Sequence, residues 1–183
     1  MDAGNPVVWL HAGDLGLAGH ERTEINDDHD VLDLVREARG KACVLMGLCD
    51  DWRRGDEDVP AVPLVGLVTP PRGYLTVNGR RVEADEMDLR LHLIFMNRLH
   101  ESVAGTASIS LAAASRIPGT TVHAVARRRR PDTVLIGHPS GVTGVSASVA
   151  ADADDQGVRF GLLGISRTAR RLMAGRAFYP RHG

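Results

Sequence analysis

Lysine is almost missing from these 183 residues: Lys41 is the only one among 22 basic residues, so arginine carries nearly all the positive charge. A high-GC genome explains that habit as readily as a preference for bidentate carboxylate binding. Cysteine is scarce too. Cys43 and Cys49 lie in an apolar stretch and at its exit, with no further thiols to complete a zinc set, and read as free or buried thiols rather than a disulfide. No apolar run approaches the roughly 20 residues of a transmembrane helix, and Met1-Asp2-Ala3 lacks the opening of a signal peptide. The expectation is a soluble, cytoplasmic protein without a membrane partner. A formal net charge of -1 leaves no global basic field, so nucleic acid is not an expected partner either. Walker loop, dinucleotide fingerprint, metal-ligand spacing and a Ser-His-Asp order are all missing, and neither cofactor nor metal is expected.

What is present is a sharp change of period between Asp88 and Thr121. Leu89, Leu91, Leu93 and Phe95 alternate with Asp88, Arg90, His92 and Ile94, which predicts a strand with one apolar and one largely polar face. From Thr106 the chain turns to Ile109, Leu111 and Ala112 to Ala114, helix material poor in bulky side chains until Pro118-Gly119 stops it. Such a helix can be wrapped closely by sheet. Its start, Ala104-Gly105-Thr106-Ala107, presents the unpaired N–H groups that suit a carboxylate or phosphate. The alternative is a buried helix whose Gly105 is only a tight turn.

Elsewhere, Pro6 to Leu10 reads as a strand, Ala12 to His29 as loop, and His29 to about Leu48 as a helix capped by Asp27 or Asp28. Asp50 to Asp58 reads as a charged loop, Leu64 to Val68 as a strand, and Tyr74 to Val82 as a hairpin on the two-residue turn Asn78-Gly79. Thr120 to Ala126, Val134 to Ile136, Val142 to Val149 and Val158 to Ile165 all look strand-like, and Thr168 to Tyr179 suits helix or strand equally. The sum is an α+β class in which sheet wraps helix, without regular βαβ alternation.

Several clusters carry candidate chemistry. Arg127 to Arg130 suggests a phosphate patch, but without interleaved aromatics at a strand-to-strand turn it reads better as a solvated loop. In Gly137-His138-Pro139-Ser140-Gly141, a tight strand-end bend holds an imidazole and a hydroxyl that either bind a substrate carboxylate or cap the turn. Arg167, Arg170 and Arg171 offer a carboxylate clamp or a surface salt-bridge segment. His100, just ahead of the helix start, is a candidate general acid or a structural histidine.

In their order along the chain, Asp2-Ala3-Gly4-Asn5-Pro6, Ala12-Gly13-Asp14-Leu15-Gly16-Leu17, His100 with Gly105-Thr106, Ile117-Pro118-Gly119-Thr120, Gly137-His138-Pro139-Ser140-Gly141 and Arg167-Thr168-Ala169-Arg170-Arg171-Leu172-Met173 resemble the C-terminal lobe of the PrpF family, the 2-methylaconitate isomerases and 4-oxalomesaconate tautomerases of the diaminopimelate epimerase-like fold. The resemblance covers essentially the whole chain. It implies a curved mixed sheet wrapped around a central helix, residues 1–183 forming a single lobe, and an active site in the cleft against an N-terminal lobe that is absent. The family's lysine and cysteine that move the proton have no match in Lys41, Cys43 or Cys49. Ala104 stands where related epimerases carry a catalytic cysteine, and Ala107 replaces a common glycine, adding a methyl that would crowd a bound carboxylate.

The resemblance implies an allylic proton shift or cis-trans isomerisation in a polycarboxylate such as an aconitate derivative. Asn5, Gly105, Thr106, His138, Ser140 and Arg167 suit the holding of substrate carboxylates, with His100 as candidate acid. The implied partners are a small polycarboxylate and either a separately encoded N-terminal lobe or a second copy. The alternative is a non-catalytic polycarboxylate-binding or interaction domain.

Overall fold

The structure, a computed structural model, describes residues 1–19, 21, 23–150, 157–167, 169–176 and 178. Strands β1 (Val7–His11), β2 (Leu64–Thr69), β5 (Leu89–Phe95), β6 (Arg98–His100), β7 (Thr133–His138), β8 (Gly141–Val149) and β9 (Phe160–Ile165) make one mixed sheet; β3 (Tyr74–Leu75) and β4 (Arg81–Val82) form a small hairpin. The helices are α1 (His29–Leu45), the single turn α2 (Gly55–Asp58), α3 (Gly105–Ala114) and α4 (Thr121–Val125).

The sheet order is β1-β2-β5-β7-β8-β9, and β6 also pairs with β5. One edge of β5 lies against β2. The other is shared: β7 runs parallel to its start, with Leu89 opposite Ile136, and β6 runs antiparallel to its end, with Leu93 opposite His100. The sheet therefore forks beside Leu91 and His92, and His138 and His100, the last residues of β7 and β6, both end at that fork.

Helix α3 fills the concave face. Ala107, Leu111, Ala112 and Ala114 are buried against Leu64, Val68, Leu89, Leu91, Leu93, Ile136 and Val145, and Ala113 is buried too. A helix without a polar face belongs in an interior, and small side chains let the sheet approach it. Helix α1 covers the opposite face through Val31 and Val35, which pack with Val65, Leu67 and Ile94. Asp28 caps it by accepting from Val31 N at 3.1 Å.

Several expectations are corrected. The stretch from Thr120 to Ala126 is built around helix α4 rather than a strand, because Thr120 Oγ1 accepts from His123 N (3.0 Å) and the turn with its flanks buries Val122 and Ala126, four residues apart. The charged loop from Asp50 contains a 3₁₀ turn and α2, organised by Asp51 capping Arg53 N and by Arg39 Nη1 donating to Asp56 at 2.7 Å. The Ala12 to His29 segment likewise contains 3₁₀ turns at Ala12–Leu15 and Thr23–Asp27. Thr76 N donates to Arg80 O, so the hairpin turns over three residues, with Gly79 at φ 77°.

The polar face of β5 is buried. Arg90 donates to the Glu21 carbonyl (2.8 Å) and lies 4.0 Å from the centroid of the Tyr74 ring, while His92 Nε2 donates to the same carbonyl at 2.8 Å. Among the described residues after Arg167 there is no helix or strand; Thr168, Ala177 and Tyr179 lie outside the described residues. No helix among the described residues is long and apolar enough to cross a membrane.

Candidate active site

At the fork, the start of α3 opens into a cleft of about 310 Å³ lined by Ser102, Gly105, Ser108, Thr143, Ile165 and Arg167. Ala104 supplies no side-chain cap, and the helical ladder begins with Ser108 N donating to Ala104 O. The N–H groups ahead of it are those a helix leaves for an outside acceptor, and α3 carries no acidic residue in its first turn to satisfy them. Arg167, following β9, reaches this turn. A Cβ on Gly105 would stand 2.8 Å from Arg167 Nη2 and 2.8 Å from Ile165 Cδ1. Gly105 thus makes room for a guanidinium rather than supplying a left-handed turn.

Asn5 lies at the same end, since a Cβ on its neighbour Gly4 would stand 4.0 Å from Thr106 Cγ2. His138 is 5 % exposed and lies behind Thr143, with Nε2 2.8 Å from Thr143 Oγ1. Burial, aided by nearby His100, pushes its pKa down to about 4, so the ring is neutral at pH 7. Tyr74 braces this strand end by donating its hydroxyl to His138 O or Gly141 O, at 2.8 and 2.5 Å. The Arg90 guanidinium stacked on Tyr74 backs that brace from the other face of β5.

Ser140 Oγ donates to Glu101 O, and His100 Nδ1 sits 3.1 Å from Ser102 N and 3.0 Å from Ser102 O. Both side chains pin the loop that leads into α3. Of the residues singled out by sequence, the structure brings Gly105 and Arg167 into the cleft wall, keeps Asn5 and Thr106 beside it, and places His100, His138 and Ser140 around the fork. Ser102, Ser108 and Thr143 escaped notice, although Thr143 lies two residues beyond Gly141 in a strand and opposite inward-facing Ile136.

The Ala107 methyl packs into the core with Leu111 rather than lining the cleft, so it does not crowd a ligand there. Lys41 pairs with Glu37 on α1, and buried Cys43 directs its thiol to Val62 O at 3.6 Å; neither lines the cleft. Cys43 and Cys49 are both free thiols. The four arginines from Arg127 are exposed, and Arg127 and Arg129 donate to the carbonyls of Ala84 and Asp85, as a solvated loop between α4 and β7. Among the described residues no group of three or more His, Cys, Asp or Glu side chains is placed to hold a metal.

A curved mixed sheet closed around one small-residue helix is the α+β architecture of a diaminopimelate epimerase-like lobe, and the crystal structure of methylitaconate-delta-isomerase shares it. That structure matches with a TM-score of 0.82 at 38 % identity, over 93 % of this chain and 43 % of the other. The chain belongs to the PrpF protein family, whose model matches residues 1–180. It is 38 % identical over 178 residues to 3-methylitaconate isomerase of Eubacterium barkeri, covering 96 % of this chain and 45 % of that protein. It is 32 % identical to 2-methyl-aconitate isomerase of Shewanella oneidensis, over 99 % and 45 % of the two chains. With (4E)-oxalomesaconate Delta-isomerase of Novosphingobium sp. (strain KA1) the identity is 30 %, over 97 % and 44 %. The chain thus spans somewhat under half the length of these relatives.

Proposed function

We propose that residues 1–183 form one lobe of a PrpF-type isomerase and hold the carboxylates of a polycarboxylate substrate, while proton transfer is supplied by a lobe outside these residues. The observation that carries this reading is Arg167 lying over the uncapped first turn of α3 in a cleft. A guanidinium and helix N–H donors meet where negative charge would gather. The names of the relatives, acting on methylitaconate, methylaconitate and oxalomesaconate, supply the substrate class.

In such a substrate, a base removes an allylic proton, charge spreads into the conjugated carboxylate, and an acid returns a proton to another carbon or after rotation. The anionic intermediate needs donors already in place in a water-poor cleft. Gly105 and Thr106 N–H groups and Arg167 fill that role, with Asn5, His138 and Ser140 shaping the surroundings and His100 as the candidate acid. The cleft wall named above is Ser, Thr, Gly, Ile and Arg, which includes no base at neutral pH. That composition supports a holding half-site, and it also favours the second reading, a polycarboxylate-binding domain without turnover.

Leu162, at 57 % exposed, with Leu172 and Met173 beyond it, offers apolar surface for the proposed further lobe or a second copy. The test is to purify the chain, follow cis/trans-aconitate interconversion by NMR, and repeat it with the first lobe of a relative added. The expected result is no turnover alone and turnover with the added lobe. Turnover by the pure chain would sink the division of labour, and inactivity of every such pairing would favour the binding domain.

A further inference from the structure

We propose that the Thr143 hydroxyl donates a hydrogen bond to a carboxylate bound in this cleft, and that His138 is the positioning residue that turns the hydroxyl toward it. This rests on the carboxylate-holding reading of the cleft. Thr143 projects from the concave side of β8, opposite Ile136, and lines the same cleft as Gly105 and Arg167. Its Oγ1 is 2.8 Å from His138 Nε2, and His138 Nδ1 is buried without a hydrogen-bond partner among the described residues.

Two arrangements of protons fit that contact. If the ring proton sits on Nδ1, Nε2 accepts the Thr143 proton. A donor N–H is then buried without an acceptor, and the threonine shows the cleft only lone pairs. If the proton sits on Nε2, the ring donates to Oγ1 and the Thr143 proton is free to point into the cleft. Orphaned N–H donors are the rarer and costlier defect, so the second arrangement is favoured even before an anion arrives. An anion in the cleft favours it further, because only that arrangement meets it with a donor. Burial keeps the ring neutral, so it orients the hydroxyl without adding a charge. The carboxylate then meets donors from three segments: the start of α3, Arg167 after β9, and Thr143 on β8.

The experiment titrates the full chain with tricarballylate, a saturated tricarboxylate that cannot react, by calorimetry, with 15N spectra recording the fold and the His138 ring. Thr143→Val is expected to weaken binding about tenfold and Thr143→Ser by less than about twofold. In the wild type, His138 is expected to show a protonated Nε2 whose resonance moves on addition of tricarballylate, a response that Thr143→Val abolishes. If Arg167→Gln weakens binding while Thr143→Val does not, the role of Thr143 is overturned and the carboxylate cleft stands. Equal losses in Thr143→Val and Thr143→Ser, or a His138 proton on Nδ1 in the complex, overturn it as well. If the wild-type chain does not bind tricarballylate, both this inference and the reading beneath it fall.

Discussion

Acid should unfold this protein partly through one histidine. His138 is 5 % exposed, and burial lowers its pKa from 6.5 to about 4. Between those two values the unfolded chain binds a proton at this ring and the native chain does not. Stability is therefore full above pH 6.5, falls by about 1.4 kcal/mol for each pH unit on descent toward 4, and falls no further below it. Across the whole window the loss is about 3 kcal/mol, a large share of the roughly 5–15 kcal/mol that holds a typical domain folded. Asp56 and Glu86, whose carboxyls are held below their ordinary range by hydrogen-bond donors, add their own acid sensitivity. Comparison with His138→Gln cancels their part. Urea unfolding at half-unit steps from pH 7.5 to 4 should show the wild type losing about 3 kcal/mol more than the variant, with the difference confined to pH 4–6.5. Parallel curves would refute the reasoning, as would an NMR titration of the native ring with a midpoint near 6.5.

Two further outcomes follow from local geometry. Gly105→Ala places a methyl against the ends of Arg167 and Ile165, both flexible, so melting should show a stability change below about 1 kcal/mol while tricarballylate affinity falls about tenfold as the guanidinium is displaced; unchanged affinity by calorimetry would mean that Arg167 does not act over this turn. Thr120→Ala removes the cap of α4 and should cost about 1 kcal/mol in urea unfolding, with Thr120→Ser recovering most of it; a variant as stable as wild type would show that packing of Val122 and Ala126 alone holds the helix.

Where chemistry is local, the sequence is readable. Asp28 at the start of α1, the period of Leu89, Leu91 and Leu93, and the small residues of α3 all reappear as cap, strand and wrapped helix. Thr121, Val122 and Val125 misled because β-branched residues favour strands, while the decisive contact, Thr120 Oγ1 with His123 N, is a cap visible only once the backbone has turned. Of the cleft wall, Gly105 and Arg167 were singled out in the sequence, but not Thr143. An ordinary threonine in a strand acquires meaning only from its neighbours, and here these are His138 across a hairpin and Arg167 beyond another strand. The fork was equally hidden, because it depends on β6 and β7 sharing one edge of β5 although 32 residues separate their nearer ends, from His100 to Thr133.

Helix α3 has its wall on both sides of itself in the chain: β1, β2 and β5 are made before it, and β7, β8 and β9 after it. During synthesis, then, its alanines leave the ribosome with only part of their cover available. Half the enclosure waits until Leu163 and Ile165, which pack against the same core, have also emerged. The pairings that finish the job close long loops and are slow to form for that reason. A nascent chain stalled between Ala114 and Phe160 would hold the helix against an incomplete sheet, the stage at which a chaperone has most to bind. Strand β9 also delivers Arg167, so the cleft at the start of α3 gains its guanidinium only after the other described strands have been made.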